Sequence, residues 1–120
     1  MKKLQTSLAA LIAVVLLTSV SACAPGKLSM DNVTAIIDVR TAEEFERSHI
    51  IGAVNIDLEI GDFIVTVVSI RKEGAIYVYG QTEEQAGEAI QYMRDLGYPN
   101  VVNLGSFEDA QNVLPLGVTP

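Results

Sequence analysis

Apolar and polar positions divide the chain into two unlike parts. From Leu8 to Leu17 ten apolar residues follow one another without a break. After Cys23 the apolar runs are short and are separated by polar, Gly-bearing and Pro-bearing stretches. Val33 to Val39 is mostly apolar and β-branched, which predicts a buried strand. Thr41-Ala42-Glu43-Glu44 has capping-box spacing and predicts a short helix to about Ser48. Ile50 to Ile56, containing Gly52-Ala53-Val54-Asn55, predicts a second short strand. Ile76-Tyr77-Val78-Tyr79 predicts a third, buried strand. From Thr82 to Leu96, Ala86, Ala89, Ile90, Met93 and Leu96 recur at helical spacing as one apolar stripe. Gly97 and Pro99 then stop that helix. Val101-Val102-Asn103-Leu104 predicts another strand, Phe107 to Val113 a last short helix, and Pro115 to Pro120 a loose tail. Strands alternating with helices predict an α/β fold: a small, mostly parallel sheet with helices on both faces.

One segment breaks the pattern. Asp62 to Arg71 is expected to be helical, yet Phe63 to Ile70 is apolar nearly all round and rich in β-branched residues. Helix propensity is poor there, so packing must enforce the helix. Either the segment is covered more deeply than usual, or it leaves an apolar patch that meets a protein partner or a membrane.

The N-terminal part has the order of a secretory signal: Met1-Lys2-Lys3, the apolar run, then small residues. Ten apolar residues are too few to span a bilayer, which takes about 20. Val20-Ser21-Ala22-Cys23 resembles a bacterial lipoprotein lipobox, with Val20 in place of the commoner Leu. That resemblance implies removal of residues 1–22, diacylglycerol on the Cys23 thiol, and an extracytoplasmic protein held on a bacterial membrane. Two or three acyl chains anchor firmly, at ~0.8 kcal/mol per buried CH₂. The alternative is an ordinary signal cut near Ala22, leaving a free thiol. The expected organisation is signal peptide 1–22, tether 23–32, one folded domain 33–113 and tail 114–120.

Charge narrows the function. Loss of Lys2 and Lys3 leaves six basic residues against fifteen acidic ones, a formal charge of −9. Such a domain is a poor partner for nucleic acid or anionic lipid. One cysteine and one histidine provide no cluster for zinc or iron–sulfur, so no metal and no cofactor are expected.

Ile37-Asp38-Val39-Arg40-Thr41-Ala42-Glu43-Glu44-Phe45 and His49-Ile50-Ile51-Gly52-Ala53-Val54-Asn55-Ile56 resemble the rhodanese-like domain. Ile76 to Tyr79, Leu96-Gly97-Tyr98 and Val101 to Gly105 extend the resemblance over about residues 33–113. The family implies sulfur transfer: a cysteine in a strand-to-helix loop carries a persulfide between a donor such as thiosulfate and a thiophilic acceptor. A helix N-terminus suits that chemistry, because it lowers a thiol pKa and attracts an anion.

Here the nucleophile position is Gly80, in the loop Gly80-Gln81-Thr82-Glu83-Glu84-Gln85. No thiol remains to form a persulfide, and Glu83 and Glu84 are expected where an anion would sit. Thr82 has no nearby base in sequence to activate it. Tyr77 and Tyr79 are expected to pack. Asp38 and Arg40 are expected to form a structural pair beside the site. By the resemblance, His49 braces the loop through a hydrogen bond. The reading is therefore a non-enzymatic binding or regulatory module. The alternative is a working sulfurtransferase, or another activity in the same pocket.

Overall fold

The computed structural model describes residues 26–120. Cys23, the apolar run and the expected cleavage point lie outside the described residues. The elements run β1 (Val33–Asp38), α1 (Ala42–Arg47), β2 (His49–Ile50), β3 (Val54–Asn55), α2 (Phe63–Val67), β4 (Ala75–Gly80), α3 (Glu83–Asp95), β5 (Val101–Ser106), α4 (Phe107–Val113) and β6 (Val118–Thr119).

The main sheet has four parallel strands in the order β3-β1-β4-β5. Alternation along β1 and β4 divides the core in two. Ile37, Val39, Ile76 and Val78 face α2 and α3, where they meet Phe63, Val67, Ala86, Ala89, Ile90 and Met93. Ile36, Tyr77 and Tyr79 face the other way, onto Ala110 and Leu114 at α4. The expected α/β architecture with helices on both faces is the one observed. The stripe on α3 is buried as the spacing predicts, with Leu96 packed against its edge.

Three local expectations change. The stretch from Ile50 to Ile56 is not one strand. Gly52, at φ +94°, turns the chain between β2 and β3, and only β3 joins the main sheet. The tail is not loose: Leu114 is buried and β6 pairs antiparallel with β2, Ile50 opposite Val118. The second half of the tether is docked as well. Leu28 N–H donates to the Val113 carbonyl at 2.8 Å, and the Tyr77 hydroxyl donates to the Ser29 carbonyl at 2.6 Å. In both cases isolated apolar residues, Leu28 and Met30 in one and Leu116 in the other, pack on the α4-side core. Single contacts of this kind leave no periodic signature in the sequence.

The helix expected over Asp62 to Arg71 is only five residues long, Phe63–Val67. Asp62 makes no side-chain cap, and β-branched residues do not propagate a helix well. The Tyr98 hydroxyl fixes the segment instead. It donates to the Val67 carbonyl at 2.7 Å and lies 2.6 Å from that of Ile70, which ties down the C-terminal end of the segment. Phe63 and Val67 point inward, whereas Ile64, Val65 and Val68 are exposed. Of the two outcomes weighed for this segment, the structure shows the exposed apolar patch.

Candidate ligand site at the carboxyl ends of the strands

From the central pair β1 and β4, the chain leaves β1 toward β3 on one side and β4 toward β5 on the other. That reversal makes a crevice beyond the strands' carboxyl ends, the usual ligand position in an open parallel sheet. The cleft there has a volume of about 450 Å³. Arg40, Ser48, Gln81 and Phe107 line it, with Glu44, Arg47 and Glu108 at its sides.

The β1 side is a closed polar network. Arg40 Nη2 donates to Asp38 Oδ2 at 2.7 Å, and Arg40 Nε donates to the same carboxylate at 3.0 Å. Both residues are buried, Asp38 at 0% exposure and Arg40 at 5%. Burial opposes the guanidinium charge. The hydrogen bond and charge of Asp38 outweigh it and raise the Arg40 pKa above its ordinary value. Nη2 also donates to the Ser48 carbonyl at 2.7 Å, and the guanidinium carbon stands 4.2 Å from the Phe107 ring centre. Asn55 Nδ2 donates to the carbonyls of Asp38 and Arg40. Asp38 and Arg40 thus form the structural pair that was expected, and the pair offers a ligand little net charge.

Tyr77 and Tyr79 pack, as expected. The Tyr79 hydroxyl accepts the Ile50 N–H at 3.1 Å. Burial pushes its pKa up, only partly offset by that hydrogen bond.

His49 is not a brace for the 80–85 loop. Its Nδ1 lies 2.7 Å from the Phe45 carbonyl, and its ring stacks on that of Phe45 at 3.6 Å. It therefore ties α1 to β2, at the strand that β6 covers.

The β4 side differs from expectation in one residue. Glu83 and Glu84 are exposed in the first turn of α3, and neither side chain hydrogen-bonds into the cradle of backbone formed by the loop from Gly80 to Gln85. The Gln85 side chain does. Gln81 N–H donates to Gln85 Oε1 at 2.7 Å, and Gln85 Nε2 donates to Glu59 Oε2 at 3.2 Å. A Cβ on Gly80 would stand 2.8 Å from Gln85 Oε1 and 3.2 Å from both the Ala86 nitrogen and Val39 Cγ2. The backbone of Gly80 is ordinary strand, so glycine is not required by φ. A side chain at position 80 and the Gln85 carboxamide compete for one space. The sequence did carry a signal for this. Thr82-Glu83-Glu84-Gln85 is a second T-x-x-[EQ] pattern, whose third helical side chain folds back over the cap.

Comparisons with known proteins place this arrangement. Among solved structures, a rhodanese-like domain from Anabaena superposes with a TM-score of 0.63 at 29% identity, covering 72% of this chain and 98% of that one. A structure described as a rhodanese with anions from Escherichia coli gives a TM-score of 0.57 at 31% identity, covering 71% of this chain and 95% of that one. Both are chains of little more than this fold. Residues 26–112 match the Rhodanese family, described as the Rhodanese-like domain, and the chain belongs to that family. A curated relative is the thiosulfate sulfurtransferase PspE of Escherichia coli, 36% identical over 74 residues, which span 61% of this chain and 70% of PspE.

Proposed function

We propose that this protein is a rhodanese-like binding or regulatory module without sulfur transfer, held by a lipidated Cys23 on the extracytoplasmic side of a bacterial membrane. The observation that carries the reading is the exclusive occupancy of the cradle. Gly80 brings no nucleophile, and the Gln85 carboxamide takes both the space and the Gln81 N–H that a persulfide would need. The only thiol of the chain is Cys23. The apolar run and lipobox-like tetrapeptide support the anchor, and the formal charge of −9 after cleavage disfavours small anions.

Kinship to a thiosulfate sulfurtransferase favours a second reading, in which the domain still transfers sulfur through an unlipidated thiol. One experiment separates the two. Protein extracted from host membranes is assayed with thiosulfate and cyanide, and the mass of its N-terminal peptide is measured. The expected result is no heat-sensitive thiocyanate formation and a diacylglyceryl Cys23. Turnover above the heat-denatured control would overturn the binding-module reading. An unmodified N-terminal cysteine would overturn the anchor.

A further inference from the structure

Among the described residues, the most exposed large apolar side chains, Val65 and Ile60, lie on and beside α2, on a face that neither the core nor the cleft uses. Val65 is 76% exposed and Ile60 66%, and Ile64 and Val68 lie one turn apart beside them. Leu58, Gly61, Phe63, Ile64 and Tyr92 line a hollow of about 140 Å³ at its edge. An anchor side chain in such a hollow is the usual centre of a protein interface.

Two observations say what covers this face. The first is charge. Glu84, Glu88 and Tyr92 stand at successive turns on one face of α3, and Tyr92 rests against Phe63, ring centres 6.3 Å apart. Glu59, tied to α3 through Gln85, and Asp62 add two more carboxylates beside the patch. The second is direction. Lys27 Nζ donates to the Asn112 carbonyl and Leu28 N–H to that of Val113, so the chain arrives on the α4 side of the sheet. The α2 face belongs to the opposite side. From Cys23 to Gly26 the chain spans at most about 10 Å. An anchor at Cys23 therefore keeps the membrane on the α4 side and turns α2 away from it.

We infer that the α2 face docks a basic amphipathic segment of another protein, its apolar side on Val65 and the hollow and its Lys or Arg residues on Glu84 and Glu88. The inference rests on the binding-module reading and names the partner class for it. Its test uses residues 26–120, first shown to unfold cooperatively in urea, or the whole protein in lipid nanodiscs if they do not, and a fluorescein-labelled 14-residue helical peptide of Leu and Lys, with a Leu/Glu peptide as comparison. Binding of the Leu/Lys peptide alone is expected by fluorescence anisotropy. Val65→Asp, at an exposed site, should weaken it at least about tenfold, and so should Glu84→Lys with Glu88→Lys, while Glu46→Lys on α1 changes it less than about twofold. Equal weakening by Glu46→Lys would reduce the effect to net charge and overturn the inference, as would no binding or indifference to Val65→Asp. Self-association abolished by Val65→Asp would assign the face to a second copy. Binding to zwitterionic vesicles abolished by Val65→Asp would assign it to a bilayer. Either overturns the inference. Sulfur transfer by the protein would sink the reading beneath it without touching the peptide result.

Discussion

The corner from β1 into α1 and the corner from β4 into α3 stand side by side at the crevice and use the same cap pattern to opposite ends. In the first, Thr41 accepts the Glu44 N–H and the Glu44 carboxylate returns to the Thr41 N–H, both at 3.1 Å. The box is complete, and the space in front of it is filled by the buried Arg40. In the second, Thr82 accepts the Gln85 N–H at 3.1 Å, but the Gln85 carboxamide reaches one residue further back, to Gln81. It can do so because Gly80 leaves nothing in its path. A third corner, from β5 into α4, repeats the complete box with Ser106 and Asp109. A cap that merely starts a helix at the β1–α1 and β5–α4 corners therefore also closes a ligand cradle at the β4–α3 corner. One absent side chain makes the difference.

The comparison breaks most severely at Arg40. Arg40→Ala removes the partner of a fully buried carboxylate and should cost about 3–5 kcal/mol in urea unfolding. A loss below about 1 kcal/mol would mean that Asp38 is satisfied without it. Next comes Gly105→Ala. Gly105 has φ +86°, and a Cβ there would lie 2.5 Å from Asp109 Oδ2. Backbone strain and loss of the Ser106 box should together cost about 1–3 kcal/mol by the same measurement.

A finer test compares the two cap returns. Thr41→Ala should cost about 1 kcal/mol. Gln85→Ala should cost only a few tenths, because Gln81 is exposed and water can take over its N–H. If Gln85→Ala proves the more costly of the two, the carboxamide is holding the corner together rather than occupying a vacant cradle.

Long, regular features were legible in the sequence. The α3 stripe, the buried β1 and β4 strands, the Thr41 box and the Asp38–Arg40 pair all follow from periodicity or from residues close in the chain. What the sequence hid is tertiary. Tyr98 shapes α2 from 31 residues away, through the Val67 carbonyl. The β2–β6 pairing rests on two residues per strand, too few for an alternating pattern. His49 could be placed near the site but not assigned its partner, since the Phe45 carbonyl is a backbone group with no sequence mark. The role of Gln85 was written in the same cap pattern that was recognised at Thr41. Beside two glutamates at a helix start, a neutral residue draws no attention in a charge-based reading.

The substitution that bears most on the comparison is read by thiol chemistry rather than by stability. Gly80→Cys adds a side chain whose closest neighbour is the far end of a flexible glutamine, but the Ala86 nitrogen and Val39 Cγ2, both at 3.2 Å, must also give slightly, so the fold should lose about 1 kcal/mol. The thiol and the carboxamide cannot share the space, and Gln85 must swing out. A thiolate would then compete for the Gln81 N–H at a helix N-terminus, which lowers a thiol pKa. Glu83 and Glu84 in the first turn raise it. These effects oppose one another, so the pH dependence of iodoacetamide alkylation should report a pKa near the ordinary thiol value. Gln85→Ala in the Gly80→Cys background frees the N–H for sulfur and should lower that pKa. Glu83→Gln with Glu84→Arg should lower it further. If Gln85→Ala leaves the alkylation profile of Gly80→Cys unchanged, the carboxamide is not a stand-in for the missing nucleophile. The two corners would then differ by no more than a glycine.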